Sequence, residues 1–215
     1  VSGCHVEVTS YAEPCVERTS TNRTTTNIVE IQPGKQSASV FNPFDYAIVR
    51  FIWDNAGGVD LDTRVGILTN IPYQLDYVGW CEWDNVPTTA GLPIDDYYLV
   101  WGGDNTTSPG LEAVLLNFDK LVEDNPGLTE VELDLRAFWY DTINSGDFTL
   151  QFETYLGGSM QASGLDFINV GGIVVQTINV VVNTPTQTSS CVLGDCVKHL
   201  RYNVNTKVAV LEDCP

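Results

Sequence analysis

A chain of 215 residues, 43% of them hydrophobic and 18% charged, suits one packed all-β domain with appendages, or at most two small domains. Its 28 acidic residues against 10 basic ones give a net charge of −18, which argues against a nucleic acid or an anionic membrane held through a broad basic surface. No apolar run approaches the roughly 18–20 residues of a spanning helix, so membrane insertion is not expected. No charged start followed by an apolar run opens the chain at Val1, so a signal peptide is expected to be already removed or never present. The acidity itself has two readings: solubility, or oxygen ligands for Ca²⁺, because many of the acids stand beside Gly and Asn.

Residues 1–27 are polar and threonine-rich, with Cys4 and Cys15, and read as an irregular or edge-strand arm. Residues 27–31 alternate as a short strand before the turn Pro33-Gly34. Strands are expected over 37–40 and 46–53, separated by Asn42-Pro43; the second is almost wholly apolar, as suits burial on both sides. The stretch Phe51 to Leu68 then turns on Gly57-Gly58 and sets Asp60 and Asp62 on either side of Leu61. Residues two apart on a strand share a face, so both carboxylates face one way. Side by side they repel unless a cation or a proton sits between them.

An aromatic strand over 75–84 and another over 95–101 follow, the latter leading into the loop Gly102-Gly103-Asp104-Asn105. Apolar Leu111, Val114, Leu115, Phe118, Leu121 and Val122 stand at helical spacing, which predicts a helix over 111–123, with Ser108-Pro109 before it and Asn125-Pro126-Gly127 after it. Strands over 129–140 and 147–155 alternate well enough to pair with each other, and Gly157-Gly158 turns the chain. The β-prone run 173–182 is expected to close a sandwich and to be able to pair with a neighbour. Residues 200–211 read as a hairpin. The predicted fold class is all-β: an antiparallel β-sandwich with one short helix, plus a small cysteine-bearing C-terminal hairpin unit. The chain divides into an arm with first strands (1–45), the sandwich (46–183), a linker (184–190) and the hairpin (191–215).

The six cysteines, Cys4, Cys15, Cys81, Cys191, Cys196 and Cys214, are weighted to the ends. One reading is disulfides that pin the termini, including a local Cys191–Cys196 bridge, in an oxidising extracellular setting. The other is zinc, with His5 and His199 as further ligands, although the spacings match no compact zinc motif. Asn22-Arg-Thr and Asn105-Thr-Thr have the form of glycosylation acceptors.

The segments Gly58-Val-Asp-Leu-Asp62 with Gly66-Ile-Leu, and Trp101-Gly-Gly-Asp-Asn-Thr-Thr107 with Glu112 before Val114-Leu-Leu, occur in an order that resembles the calcium-binding domain of tellurium-resistance (TerD-like) proteins. The later strand 131–140 agrees, and the resemblance spans roughly residues 46–160. It implies a β-sandwich with Ca²⁺ held between the two loops, and makes Asp60, Asp62, Asp104, Asn105 and Glu112 the ligand candidates. The cysteine-bearing ends are foreign to a cytosolic stress protein of that kind.

Catalytic sets are thin. Neither histidine accompanies a Ser or Cys nucleophile motif; Glu132, Asp134 and Glu153 on neighbouring predicted strands are the three candidates from which a glycosidase carboxylate pair could be drawn. Trp80 and Trp83 are candidates for stacking on a sugar. The function expected is a non-enzymatic, calcium-stabilised structural or adhesive subunit of a surface assembly, a virion decoration or fibre protein or an extracellular filament. Its partners would be copies of itself or other subunits, with glycans as a further ligand class. The alternatives are a secreted carbohydrate-binding module or glycan-active enzyme, and a cytosolic TerD-type stress protein.

Overall fold

The structure, a computed structural model, describes residues 38–54, 60–71, 77–80, 94–140 and 146–215. The apolar run 46–53 forms strand β2 (Tyr46–Trp53), and its burial on both sides follows from where it lies. It is the middle strand of a five-stranded sheet, flanked by β6 (Gly110–Asn117) and β8 (Asp147–Leu156). The sheet is completed by β5 (Leu99–Trp101) beside β6 and β11 (Ile173–Asn183) beside β8. Ala47, Val49, Phe51 and Trp53 point to the main core, whereas Tyr46 and Ile48 belong to a second apolar cluster on the other face.

The facing layer is a seven-stranded sheet. Its path runs β1 (Ser39–Val40), β14 (Val208–Glu212), β13 (Asp195–Asn203), β7 (Glu130–Tyr140), β3 (Leu61–Ile67) and β4 (Val78–Gly79), with β12 (Gln187–Thr188) pairing in parallel to β7. Leu61, Val65, Leu133, Leu135, Trp139 and Leu200 face the core from this side, and Phe51, Leu150 and Phe152 meet them. Each fully buried side chain of this size contributes about 1.5–3 kcal/mol relative to exposure. These elements make the expected antiparallel β-sandwich with one short helix.

A third layer covers the outer face of the five-stranded sheet. The hairpin β9 (Ser159–Ser163) and β10 (Asp166–Val170) lays Met160 and Phe167 on Ile48, Ala113 and Leu115. Arg50, on the same face of β2, is buried beneath it: Nε donates to Asp166 (2.8 and 2.9 Å), and Nη1 to Glu153 (2.7 Å) and Gln151 (3.1 Å). An arginine is stable there because its donors are matched by two carboxylates.

The expected helix over 111–123 is shortened to α1 (Phe118–Asp124), and residues 110–117 are a strand instead. The cause is double-sided burial. With Val114 and Leu116 on the core and Ala113 and Leu115 under the β9–β10 hairpin, β6 needs apolar residues in succession, which mimics a helical pattern. The helix begins where Asn117 Oδ1 accepts from the Lys120 amide (2.9 Å). Strands 129–140 and 147–155 both exist, but they do not pair: β7 lies in the seven-stranded sheet and β8 in the five-stranded one. Alternation fixes a buried face and leaves the partner strand open.

The predicted C-terminal hairpin forms as β13–β14 and is built into the sandwich, β13 pairing with β7 along eight residues. Tyr202 stacks on Phe118 at 4.0 Å, and its hydroxyl donates to the Phe44 carbonyl (2.9 Å). The residues expected to be a linker, 184–190, include β12, and Thr184 is buried with its hydroxyl on Asp195 (2.5 Å). The run 173–182 is the outer strand β11, paired antiparallel to β8. The expected strand 27–31 lies outside the described residues.

Candidate cation site

On β3 the alternation sends Leu61, Thr63 and Val65 inward and leaves Asp60 and Asp62 on the other side of the chain. Asp60 is tied by its carbonyl, which accepts from the Tyr140 amide (3.1 Å), and Asp62 stands opposite Phe138. Asp104 arrives from the loop after β5, at the same end of the sandwich. That loop needs its two glycines. Gly103 has φ +117°, and a Cβ at Gly102 would lie 2.2 Å from the Leu165 carbonyl oxygen.

Carboxylate oxygens of Asp60, Asp62 and Asp104 lie within 4.8 Å of one another. Asp62 is 1% exposed and Asp60 9%. Asp62 Oδ2 and Asp60 Oδ1 are buried without a hydrogen-bond partner. Burial, reinforced by the charge of Asp104, pushes the Asp60 carboxyl up to about 6. Burial, with Asp60 and Asp104 next, pushes Asp62 up to about 8, with Arg64 opposing. Asp104 is raised by burial as well. Buried acceptors without donors, in a set of carboxylates that hinder one another's ionisation, fit a hard cation. Oxygens no more than about 4.8 Å apart are close enough to share one cation, Ca²⁺ at about 2.4 Å among them.

Two of the five candidate ligands take another role. Glu112 is fully buried on β6, where its Oε2 accepts from Thr63 Oγ1 (2.5 Å) and Trp101 Nε1 (3.3 Å), and its Oε1 from the Asn105 amide (3.2 Å). It joins three segments behind the aspartates, and burial holds its carboxyl well above the usual range. Asn105 turns its side chain into its own loop: Nδ2 donates to the Leu111 carbonyl (3.2 Å), and Oδ1 accepts from the Thr107 amide (3.0 Å) and hydroxyl (2.7 Å). Both ends of that amide are engaged within the loop. Sequence reasoning missed Thr63 and Trp101. The available signal was a polar residue at an inward position of β3 and another, Glu112, at an inward position of β6.

The remaining candidates scatter. Glu132 and Asp134 lie on β7 and Glu153 on β8, in different sheets, so no pair forms across neighbouring strands. Glu153 holds Arg50, and Asp134 accepts from Arg136 (2.9 Å) and lies 3.1 Å from His199 Nδ1. Trp80 packs edge-on against Tyr140 at 5.4 Å and Phe138 at 6.4 Å, and is only partly exposed. Trp83, Asn22, His5, Cys4, Cys15 and Cys81 lie outside the described residues. Cys196 is bonded to Cys214 beyond the end of the β13–β14 ladder, Cα–Cα 6.0 Å, and not to Cys191. The β13–β14 ladder ends at His199 and Glu212, and just beyond it the two strands bring Cys196 and Cys214, 18 residues apart, within bonding reach. Cys191 is disulfide-bonded too, so neither cysteine of that loop is left as a zinc ligand.

No family model matches the chain, and neither a curated protein nor a solved structure is found that matches it.

Proposed function

We propose that the protein is a non-enzymatic, calcium-stabilised β-sandwich, a TerD-like domain in its resemblance, that serves as a structural or adhesive subunit of a surface assembly. Ca²⁺ would sit between Asp60, Asp62 and Asp104, joining the entry to β3 with the loop after β5. The observation that carries this reading is the pair of buried, unpartnered aspartate oxygens at a three-carboxylate cluster. A bound ion supplies the positive charge that those oxygens lack. Glu112, Thr63 and the Asn105 amide hold the two loops at the distance the ion needs.

The Cys196–Cys214 bridge supports an oxidising setting, outside a cell or on a virion, over a reducing cytoplasm. Copies of the chain, other subunits or glycans are the partners this reading admits.

Thermal unfolding tests the ion. Binding to the native state alone stabilises by about 2.7 kcal/mol at a hundredfold excess over Kd. For a domain of this size that is a rise of roughly 5–10 °C in Tm when Ca²⁺ is added to chelated protein. An unchanged Tm, on protein shown free of residual metal, would remove the core of the proposal. Intact mass with and without reduction tests the setting: six thiols alkylated without reductant would exclude it.

A further inference from the structure

The aspartate cluster carries more negative charge than one Ca²⁺ balances. Ionised Asp60, Asp62 and Asp104 around a divalent ion leave one negative charge over. At Asp62 that surplus would be buried, since the residue is 1% exposed and no hydrogen-bond donor of the protein meets its Oδ2. Glu112 adds to it from behind. Burial first, and the charges of Asp62 and Asp104 after it, hold the Glu112 carboxyl above the usual range, so the four groups act on one another. The cation that acts on Asp62 is Arg64, and it is engaged elsewhere. Its Nε donates to the Trp80 carbonyl (3.2 Å), and its guanidinium lies over the Phe138 ring at 5.3 Å.

The backbone that brings the third carboxylate is held on both sides. Before Asp104, the Gly102 amide donates to the Ala113 carbonyl (2.8 Å), and the Gly102 Cα packs against the Leu165 carbonyl at the tip of the β9–β10 hairpin. After it, the Asn105 amide donates to Glu112 Oε1 (3.2 Å). Asp104 itself is exposed, whereas Asp62 is buried, so an ion enters past Asp104 and comes to rest on Asp62. Exposure also makes Asp104 the member of the set that is most readily substituted without loss of the fold.

A trivalent ion balances the three aspartates, and an uncompensated charge in a buried site is costly. Lanthanide ions share the preference of Ca²⁺ for carboxylate and carbonyl oxygens and for high coordination numbers, and they carry the third charge. We propose that Asp60, Asp62 and Asp104 form a site selective for trivalent lanthanide ions over Ca²⁺, with Asp104 setting the preference. This rests on the cation site proposed above and adds to it the charge of the ion that fits best.

Competition between the two ions on the full chain tests it. Chelated protein at pH 7 is titrated with Ca²⁺ and with Tb³⁺, at about 0.1 M and about 0.5 M salt so that loose binding to the acidic surface is screened out. Tb³⁺ emission excited through the tryptophans reports the bound lanthanide, and calorimetry reports both ions. One Tb³⁺ per chain is expected, held at least about tenfold more tightly than Ca²⁺ and displaced by excess Ca²⁺. Asp104→Asn leaves two carboxylates, which one Ca²⁺ balances, so the ratio of Tb³⁺ to Ca²⁺ affinity is expected to fall by about tenfold or more, toward one. A smaller ratio in the unaltered chain, with Ca²⁺ still bound, overturns the proposal and leaves the calcium site standing, whether or not the variant folds. A ratio that Asp104→Asn leaves unchanged in a folded variant overturns it too. Several Tb³⁺ per chain that the higher salt removes and Ca²⁺ does not displace would place the ion on the acidic surface, with the same result. Binding of neither ion would remove the calcium site along with the lanthanide preference.

Discussion

Asp62 is the residue whose ionisation the surrounding fold opposes most clearly among the three aspartates. Its carboxyl is buried, one oxygen has no donor, and Asp60 and Asp104 stand beside it. Asp62→Asn removes a proposed Ca²⁺ ligand and also removes the buried like charge. The variant is therefore expected to lose the Ca²⁺-induced rise in Tm while its chelated form melts no lower than the chelated parent at pH 8. Differential scanning calorimetry with and without chelator checks both halves, and a variant that still gains several degrees from Ca²⁺ would take Asp62 out of the site. The same group sets a pH dependence. In the cation-free protein the folded carboxyls titrate near 6 (Asp60) and near 8 (Asp62), above the unfolded value of about 3.9. The folded state then holds protons that the unfolded chain has released, so stability falls as pH rises through this window. Calcium bound as proposed would compete with those protons, so its effect would run the other way. The Tm of chelated protein is expected to decline between pH 5 and pH 8, and the gap between chelated and Ca²⁺-loaded melts to widen. A gap of constant size across that range would contradict the site.

At the scale of elements, β6 shows how one strand serves both the fold and the site. Glu112 accepts from Thr63 on β3, Trp101 on β5 and the Asn105 amide, and so couples the two sheets next to the aspartates. Glu112→Ala would leave three donors without an acceptor, at a cost of about 1–3 kcal/mol for each one that water does not reach. A loss of roughly 3 kcal/mol in urea unfolding is expected, with Glu112→Gln retaining more than half of that stability because its carbonyl still accepts. Equal losses for the two variants would mean that the charge, and not the hydrogen bonding, matters. Glutamate before an apolar run is compatible with a ligand and with a prop, and the sequence does not separate them, because the spacing is the same in either role. The Asp60–Leu61–Asp62 pair was legible, since period-two alternation alone puts both carboxylates on one face. The arrival of Asp104 rested on the family resemblance. The extent of α1 was hidden because a strand buried on both sides loses its alternation. The sheet assignments of β7 and β8 were hidden as well: strand pairing depends on partners far along the chain.

At the scale of the whole molecule the charge is strongly negative, and the proposed subunit of an assembly has to bring such bodies together. A net charge of −18 repels copies over about a Debye length, near 8 Å at physiological ionic strength and about 30 Å at 0.01 M. Self-association is therefore expected to be weakest at low salt with chelator. It should strengthen as salt shortens the repulsion, and Ca²⁺ should assist it at low salt by neutralising part of the aspartate cluster. Light scattering coupled to size exclusion, at about 0.01 M and 0.5 M salt and with Ca²⁺ or chelator, reads these effects as average mass. A chain that stays monomeric at millimolar concentration under every one of these conditions would remove the assembly half of the proposed function. The calcium half would stand on its own thermal test, because ligation at Asp60, Asp62 and Asp104 requires no second copy.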